Sequence, residues 1–172
     1  MLLLKYHYQT TVKQDMVLSN HIQSVSSVPS PVKITISMVA NNNKSDDLKI
    51  LSSIVVLECL GNQKPYLVSS KKVNFKRVIG GKLTMRNKKM YDFLFRALFE
   101  IFPNIKQFEG LDFPCFDNVF SFTIRDLSML ERISFLSPNL GDKNHLSCQI
   151  HFSTKTKNEL FFNGRGMFFG FK

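Results

Sequence analysis

Several short runs of this 172-residue chain change character at every step. They are Lys33-Ile34-Thr35-Ile36-Ser37-Met38, Lys82-Leu83-Thr84-Met85-Arg86, Phe120-Ser121-Phe122-Thr123-Ile124-Arg125 and Leu146-Ser147-Cys148-Gln149-Ile150-His151-Phe152-Ser153. A β-strand points successive side chains to opposite faces, so each run predicts a strand with one apolar and one polar side. Ile34, Ile36, Met38, Leu83 and Met85 then point inward. Lys33, Thr35, Ser37, Lys82, Thr84, Arg86, Ser121, Thr123, Arg125, Gln149 and His151 point outward.

Between these runs the apolar spacing becomes helical. Residues 5–18 form a weakly helical pattern with Tyr6, Val12, Met16 and Val17 as inward positions. Pro29 and Pro31 stop that helix and lead into an extended segment. Asn41 to Asn43 predict a polar turn. A second helix is predicted from about Asp46 to Leu60, with Ser45 as cap, acidic residues where the dipole favours them, and a wide apolar stripe through Ile50, Leu51, Ile54, Val55 and Leu57. Gly61-Asn62 ends it, since both residue types tolerate a left-handed backbone. Residues 69–78 read as a basic loop, and Gly80-Gly81 opens the next strand. Asn87 is expected to cap a helix from Lys88 to Phe102, closed by Pro103, with Lys88, Asp92, Arg96 and Glu100 as one charged stripe. Thr156-Lys157-Asn158-Glu159 has capping-box spacing and predicts a short last helix.

These elements predict an α+β fold: a mostly antiparallel sheet with helices packed on one face and a polar, basic side suited to RNA. Residues 1–172 read as a single domain, with an N-terminal helix at 5–18, a core at 28–160 and a C-terminal tail at 161–172. A hydrophobic content of 44% is enough for a core at this length.

Charge sharpens the picture. The net charge is +10, which points to an acidic partner, most often nucleic acid; a merely solubilising surface is the bland alternative. The positive charge is concentrated. From Gln63 to Tyr91 there is no acidic residue, while Lys64, Lys71, Lys72, Lys76, Arg77, Lys82, Arg86, Lys88 and Lys89 all fall there. Basic and hydroxyl side chains on a rigid sheet suit phosphate and ribose.

Other chemistry finds little support. Cys59, Cys115 and Cys148 are scattered without a CxxC pair, so a zinc ribbon or redox motif is not indicated. Their apolar neighbours suggest buried thiols in a reducing compartment. His145 and His151 are poorly spaced for a metal. Gly164-Arg165-Gly166 lacks dinucleotide-fingerprint spacing, and Gly80-Gly81-Lys82 lacks the first glycine and the following helix of a phosphate loop. Asp112 and Asp117 read as turn residues around Pro114. No catalytic triad assembles, so no enzyme activity, cofactor or metal is expected. No apolar run approaches the length that crosses a bilayer, and no membrane association is expected.

Several segments, in order, resemble the large-subunit ribosomal protein five family of bacteria and organelles. Val28-Pro29 before Lys33-Ile34-Thr35-Ile36 is similar to its first strand. Asn62-Gln63-Lys64-Pro65 is similar to its glycine-glutamine-lysine-proline turn. The run from Lys82 to Leu94 resembles its most recognisable motif, continued by Phe102-Pro103-Asn104 through Leu111, by Phe116-Asp117, by the strand to Ser153-Thr154-Lys155 and by Met167-Phe168-Phe169. The resemblance implies a structural protein of the central protuberance whose partners are 5S rRNA and large-subunit rRNA, neighbouring ribosomal proteins, a small-subunit head protein and P-site tRNA. It implies 5S rRNA contacts at Gln63, Thr84 and Arg86, with Ser37 where asparagine is usual. With the charge pattern, the RNA-binding set becomes Ser37, Gln63, Lys64, Lys82, Thr84, Arg86, Lys88 and Lys89. Lys71, Lys72, Lys76 and Arg77 form the candidate tRNA-facing loop.

The chain departs from the family pattern in four places. The loop at 69–78 is shorter than in bacterial relatives. Asn118-Val119 replaces a glycine-arginine-glycine-asparagine segment associated with the intersubunit bridge. Ser37 is shorter than asparagine. Lys157-Asn158 replaces an acidic helix start. Lysine outnumbers arginine, and Phe, Asn and Ile are abundant, as in AT-rich genomes. Leu4 to Tyr8 already resembles the family's first helix, leaving no room for a cleaved targeting sequence. A mitochondrially made protein of the mitoribosome is therefore expected, with a plastid or an AT-rich bacterium as alternatives. A free-standing RNA-binding regulator is the rival function.

Overall fold

The structure is a computed structural model describing residues 3–19, 28–39, 47–69, 78–105, 110, 118–124, 127, 145–153 and 167. The fold is α+β. The helical elements are α1 (Leu3–His7), a π-helical turn at Tyr8–Val12, α2 (Lys13–Ser19), α3 (Asp47–Gly61) and α4 (Asn87–Arg96), which runs on through a π-helical turn (Ala97–Ile101) and a 3-10 turn (Phe102–Asn104). The strands are β1 (Pro31–Val39), β2 (Tyr66–Ser69), β3 (Val78–Met85), β4 (Val119–Ile124) and β5 (Leu146–Phe152), in the sheet order β2-β3-β1-β5-β4. The sheet is antiparallel in character, as expected, and β2 pairs antiparallel with β3.

All four predicted strands are present. β2 has no counterpart among the predictions: Tyr66-Leu67-Val68 does not alternate, and so short a strand exists only by pairing with β3. The expected cap at Ser45 and Asp46, the Asn41–Asn43 turn, the last helix from Thr156 and the tail at 161–172 lie outside the described residues, Met167 excepted. So do Cys115, Arg125 and the basic residues Lys71, Lys72, Lys76 and Arg77.

The chain forms two compact units. The first comprises Met1–Ile34, Arg86–Phe122 and Gln149–Lys172. Its N-terminal helix buries Leu4, Tyr8, Val12 and Met16, whereas Tyr6, expected inward, is 68% exposed and Val17 is half-buried. The π turn explains this. The Lys13 N–H donates to the Tyr8 carbonyl, five residues back. That wider turn keeps residues four apart on one face instead of letting them drift around an α-helix. The Tyr8 hydroxyl donates to the Pro29 carbonyl. The helix packs against α4, which buries Met90, Tyr91, Phe93 and Leu94. Asn87, read as a cap, is instead the first residue of α4, at φ 51, with Arg86 before it and no side-chain capping bond; asparagine is among the few residues that adopt this backbone readily. Phe102 and Phe122 meet edge to face at 5.3 Å between ring centres. The Ser153 N–H donates to the Ser30 carbonyl at 2.9 Å, and the Ser30 N–H donates to the Ser153 hydroxyl at 2.9 Å.

The second unit comprises Thr35–Met85 and Thr123–Cys148. Here α3 packs against β3, burying Val56, Leu57 and Leu60 with Leu83 and Met85. Ile36 and Met38 of β1 are fully buried as predicted. Thr35 corrects the outward prediction: it is 5% exposed, and Lys33 and Ser37 are half-buried. β1 is the middle strand of the five, so neighbouring side chains screen even its polar side. Cys148 is buried and its thiol is pushed up by that burial, while Cys59 is only half-buried.

Burial raises the Tyr8 phenol above its ordinary value of 10.0, with a smaller contribution from Tyr91, itself raised by burial. A raised folded-state value stabilises fully below the unfolded value and is lost as pH rises past it. Stability measured by denaturant titration should hold up to about pH 10 and fall above it. Tyr8→Phe should start about 1 kcal/mol lower, through loss of the bond to Pro29, and show a shallower alkaline decline. An unchanged alkaline slope would show that Tyr8 does not titrate with unfolding.

Candidate nucleic-acid interface

In the second unit the candidate residues sit on β1, on β3 and on the turn after α3. Helix α3 ends at Gly61, and Asn62 takes the left-handed conformation at φ 49, its N–H bonded to the Glu58 carbonyl at 2.9 Å. The sequence assigned this stop to Gly61-Asn62 jointly; the structure divides the work. Asn62 reverses the chain, and Gly61 permits close approach, since a Cβ there would collide with Leu83 Cδ2. Gly81 has a similar role, its Cβ position being 2.8 Å from Leu57 Cδ1. Gly80 faces the adjacent strand instead, where a Cβ would run into the Met38 carbonyl oxygen. These glycines let β3 lie close against both α3 and β1.

With Leu83 and Met85 buried against α3, the alternate residues Lys82 and Thr84 are exposed on the other side. Ser37 occupies the corresponding side of β1, opposite the buried Ile36 and Met38, and is half-buried. Lys64 is exposed in the turn. Gln63 is half-buried and its Nε2 donates to the Thr84 carbonyl at 2.8 Å. A residue predicted to contact RNA therefore also fastens the turn to β3.

The remaining described candidates belong to the first unit. Arg86 is exposed, with extended backbone at φ −138 and ψ 163, just before α4. Lys88 and Lys89 are exposed in the first turn of α4, which carries no acidic residue. Cations at that end oppose the helix dipole, so the arrangement is intrinsically unfavourable for the free helix and suits an anion placed there.

Among the described residues, no group of three His, Cys, Asp or Glu side chains is placed to hold a metal ion, and no helix is long and apolar enough to cross a membrane. An open groove lined by Gln9, Lys13, Gln14, Val17 and Leu18 contains none of the predicted site residues.

Comparison with known proteins decides the family. Residues 78–168 match the model of the C-terminus of the ribosomal protein uL5 family. The large ribosomal subunit protein uL5 of Mycoplasma capricolum is 32% identical over 126 residues, covering 70% of each chain. The chain belongs to the ribosomal protein uL5 family. The large ribosomal subunit protein uL5m of Reclinomonas americana is also 32% identical, over 116 residues and 64% of each chain. The uL5 of Brachyspira hyodysenteriae is 29% identical over 143 residues, covering 78% of this chain and 76% of the relative. As a member of this family the chain is a structural component of the ribosome rather than an enzyme.

The close-packed glycines yield a graded expectation. Gly80→Ala must displace backbone of the adjacent strand and should destabilise the protein by about 2 kcal/mol or more, in the range of overpacked cores. Gly61→Ala meets only the end of a flexible leucine and should cost less. Denaturant midpoints of the two variants check the order, and a reversed order would show that β3 is not held this close to β1.

Proposed function

We propose that this uL5-family protein is a structural constituent of the large ribosomal subunit that binds 5S rRNA in the central protuberance. The observation that carries the reading is the alternation on β3: Lys82 and Thr84 stand exposed over the buried pair Leu83 and Met85, within a stretch free of acidic residues. Lysine supplies charge to phosphate, and the threonine hydroxyl can both donate to and accept from ribose or a base edge. Ser37, Gln63 and Lys64 belong to the same contact set. Arg86, Lys88 and Lys89 add cations at the start of α4, where a phosphate would relieve their conflict with the dipole. Large-subunit rRNA and neighbouring ribosomal proteins are the further partners.

The loop carrying Lys71, Lys72, Lys76 and Arg77 faces phosphate, with P-site tRNA as its partner, and a small-subunit head protein lies across the subunit interface. The compartment we propose is the mitochondrial matrix. A lysine-, phenylalanine- and asparagine-rich composition supports it, as does the similarity to the uL5m of Reclinomonas americana. Bacterial relatives are equally similar, so cell fractionation with detection in mitochondrial large subunits is the test of the compartment.

Thr84→Val and Arg86→Ala should each weaken binding to a 5S rRNA transcript by about 1–3 kcal/mol, through loss of a hydrogen bond at the RNA surface and of a charge-assisted interaction. Filter binding measures this, with circular dichroism to confirm the fold; affinities equal to the parent's would refute the assignment. Replacing Lys71, Lys72 and Lys76 by alanine should lower the salt dependence of binding by up to about 0.7–0.9 for each phosphate no longer neutralised, while leaving discrimination between RNAs intact. An unchanged slope would remove this loop from the interface.

A further inference from the structure

We propose that Tyr66 is an aromatic platform on which an unpaired base of the bound RNA stacks. The inference deepens the RNA-binding reading of the Lys82–Thr84 face and rests on it.

Tyr66 opens β2 and is 78% exposed, the most exposed of the large hydrophobic residues described. An apolar ring of that size is rarely left in water without use. Its place in the sheet says what the use is. β2 lies at one end of the strand order, hydrogen-bonded to β3, so the ring has a strand beside it on one side and open approach on the other. In the antiparallel register Tyr66 is directly opposite Lys82. Directly opposed residues share a face of the sheet, with Cβ atoms about 4.5–5.5 Å apart. Lys82 and Thr84, two apart on β3, share that same face. The next pair, Leu67 and Gly81, belongs to the other face, where Gly81 packs under Leu57 of α3. Tyr66 is therefore on the side turned away from α3, beside an exposed cation and an exposed hydroxyl.

A flat aromatic surface next to positive charge matches single-stranded RNA: the ring takes the face of a splayed base, the lysine takes the neighbouring phosphate, and the threonine can bond ribose. A protein partner would need apolar or acidic surface opposite a face that offers Lys82 and Thr84 around the ring. The charge on this face favours RNA. Helical RNA keeps its bases stacked inside the duplex, so the contact requires a loop, bulge or end.

The test uses the full chain and an in-vitro 5S rRNA transcript. Tyr66→Ala should weaken binding by about 5- to 150-fold, the range for loss of one stacked base, with the salt slope unchanged. Tyr66→Phe should stay within about two-fold of the parent, because the ring persists, whereas Tyr66→Leu should resemble Tyr66→Ala. The chain has no tryptophan and four tyrosines, so tyrosine emission reports directly: RNA should quench it in the parent, and Tyr66→Phe should lose part of that quenching. Normal affinity for Tyr66→Ala, while Lys82→Ala and Thr84→Val weaken binding, would overturn the platform and leave the RNA face standing. Normal affinity for all three would overturn the RNA face itself, and the platform with it. Equal binding by Tyr66→Leu and Tyr66→Phe would make the contact apolar packing and overturn stacking. Unchanged RNA affinity together with loss of a neighbouring protein from subunits carrying Tyr66→Ala would assign the ring to protein and overturn the proposal.

Discussion

What β3 presents outward depends on how closely α3 is seated behind it. Gly61 and Gly81 remove the Cβ atoms that would hold helix and strand apart, so Leu57, Leu83 and Met85 meet without a gap. Once Leu83 and Met85 are fixed inward, the two-residue period leaves Lys82 and Thr84 no other direction. A slip of one residue in this strand would bury a lysine and expose two large apolar side chains. That penalty sets the register more firmly than any contact made by the polar residues. The Gln63 side chain adds a local tie between the turn and β3. Gly80 does the same work toward β1 by letting the strand backbones close up.

The first unit is organised by a different constraint. Its N-terminal helix buries residues four apart, from Leu4 to Met16, and the π turn at Tyr8–Val12 brings them into line. α4 has a second π turn at Ala97–Ile101, and Ala97 and Ile101 are both buried. In a ribosomal protein such rigid helical packing sets the start of α4, where Arg86, Lys88 and Lys89 are displayed against the helix dipole. That placement weakens the isolated helix slightly and is understandable only if the stabilising anion comes from the partner.

Much of this was legible before the fold. Strict alternation located four strands and the buried side of β3, because burial on one face leaves a period of two in the sequence. The acid-free basic stretch and the run from Lys82 to Leu94 pointed to a ribosomal RNA-binding protein, and family membership agrees. Other features were misread for physical reasons. Tyr6 follows the α-helical period that the π turn breaks. Thr35 is polar and alternates correctly, yet the central position of β1 buries it. Asn87 has the chemistry of a cap, but it is used for its tolerance of a positive φ. Tyr66 lies in a run without period, so no pattern marked it as part of the site.

The amino-acid order alone determined which residues of β3 are apolar and which are charged, where α3 must stop, and that the partner is acidic. These are local properties: side-chain alternation, left-handed tolerance at Asn62, and the sum of charges. Only the tertiary structure decided that β2 exists, that Tyr66 faces Lys82, and that Gln63 binds the Thr84 carbonyl. Each of these depends on the pairing of segments distant in sequence. Strand registry and helix seating place residues beside one another that no local period relates.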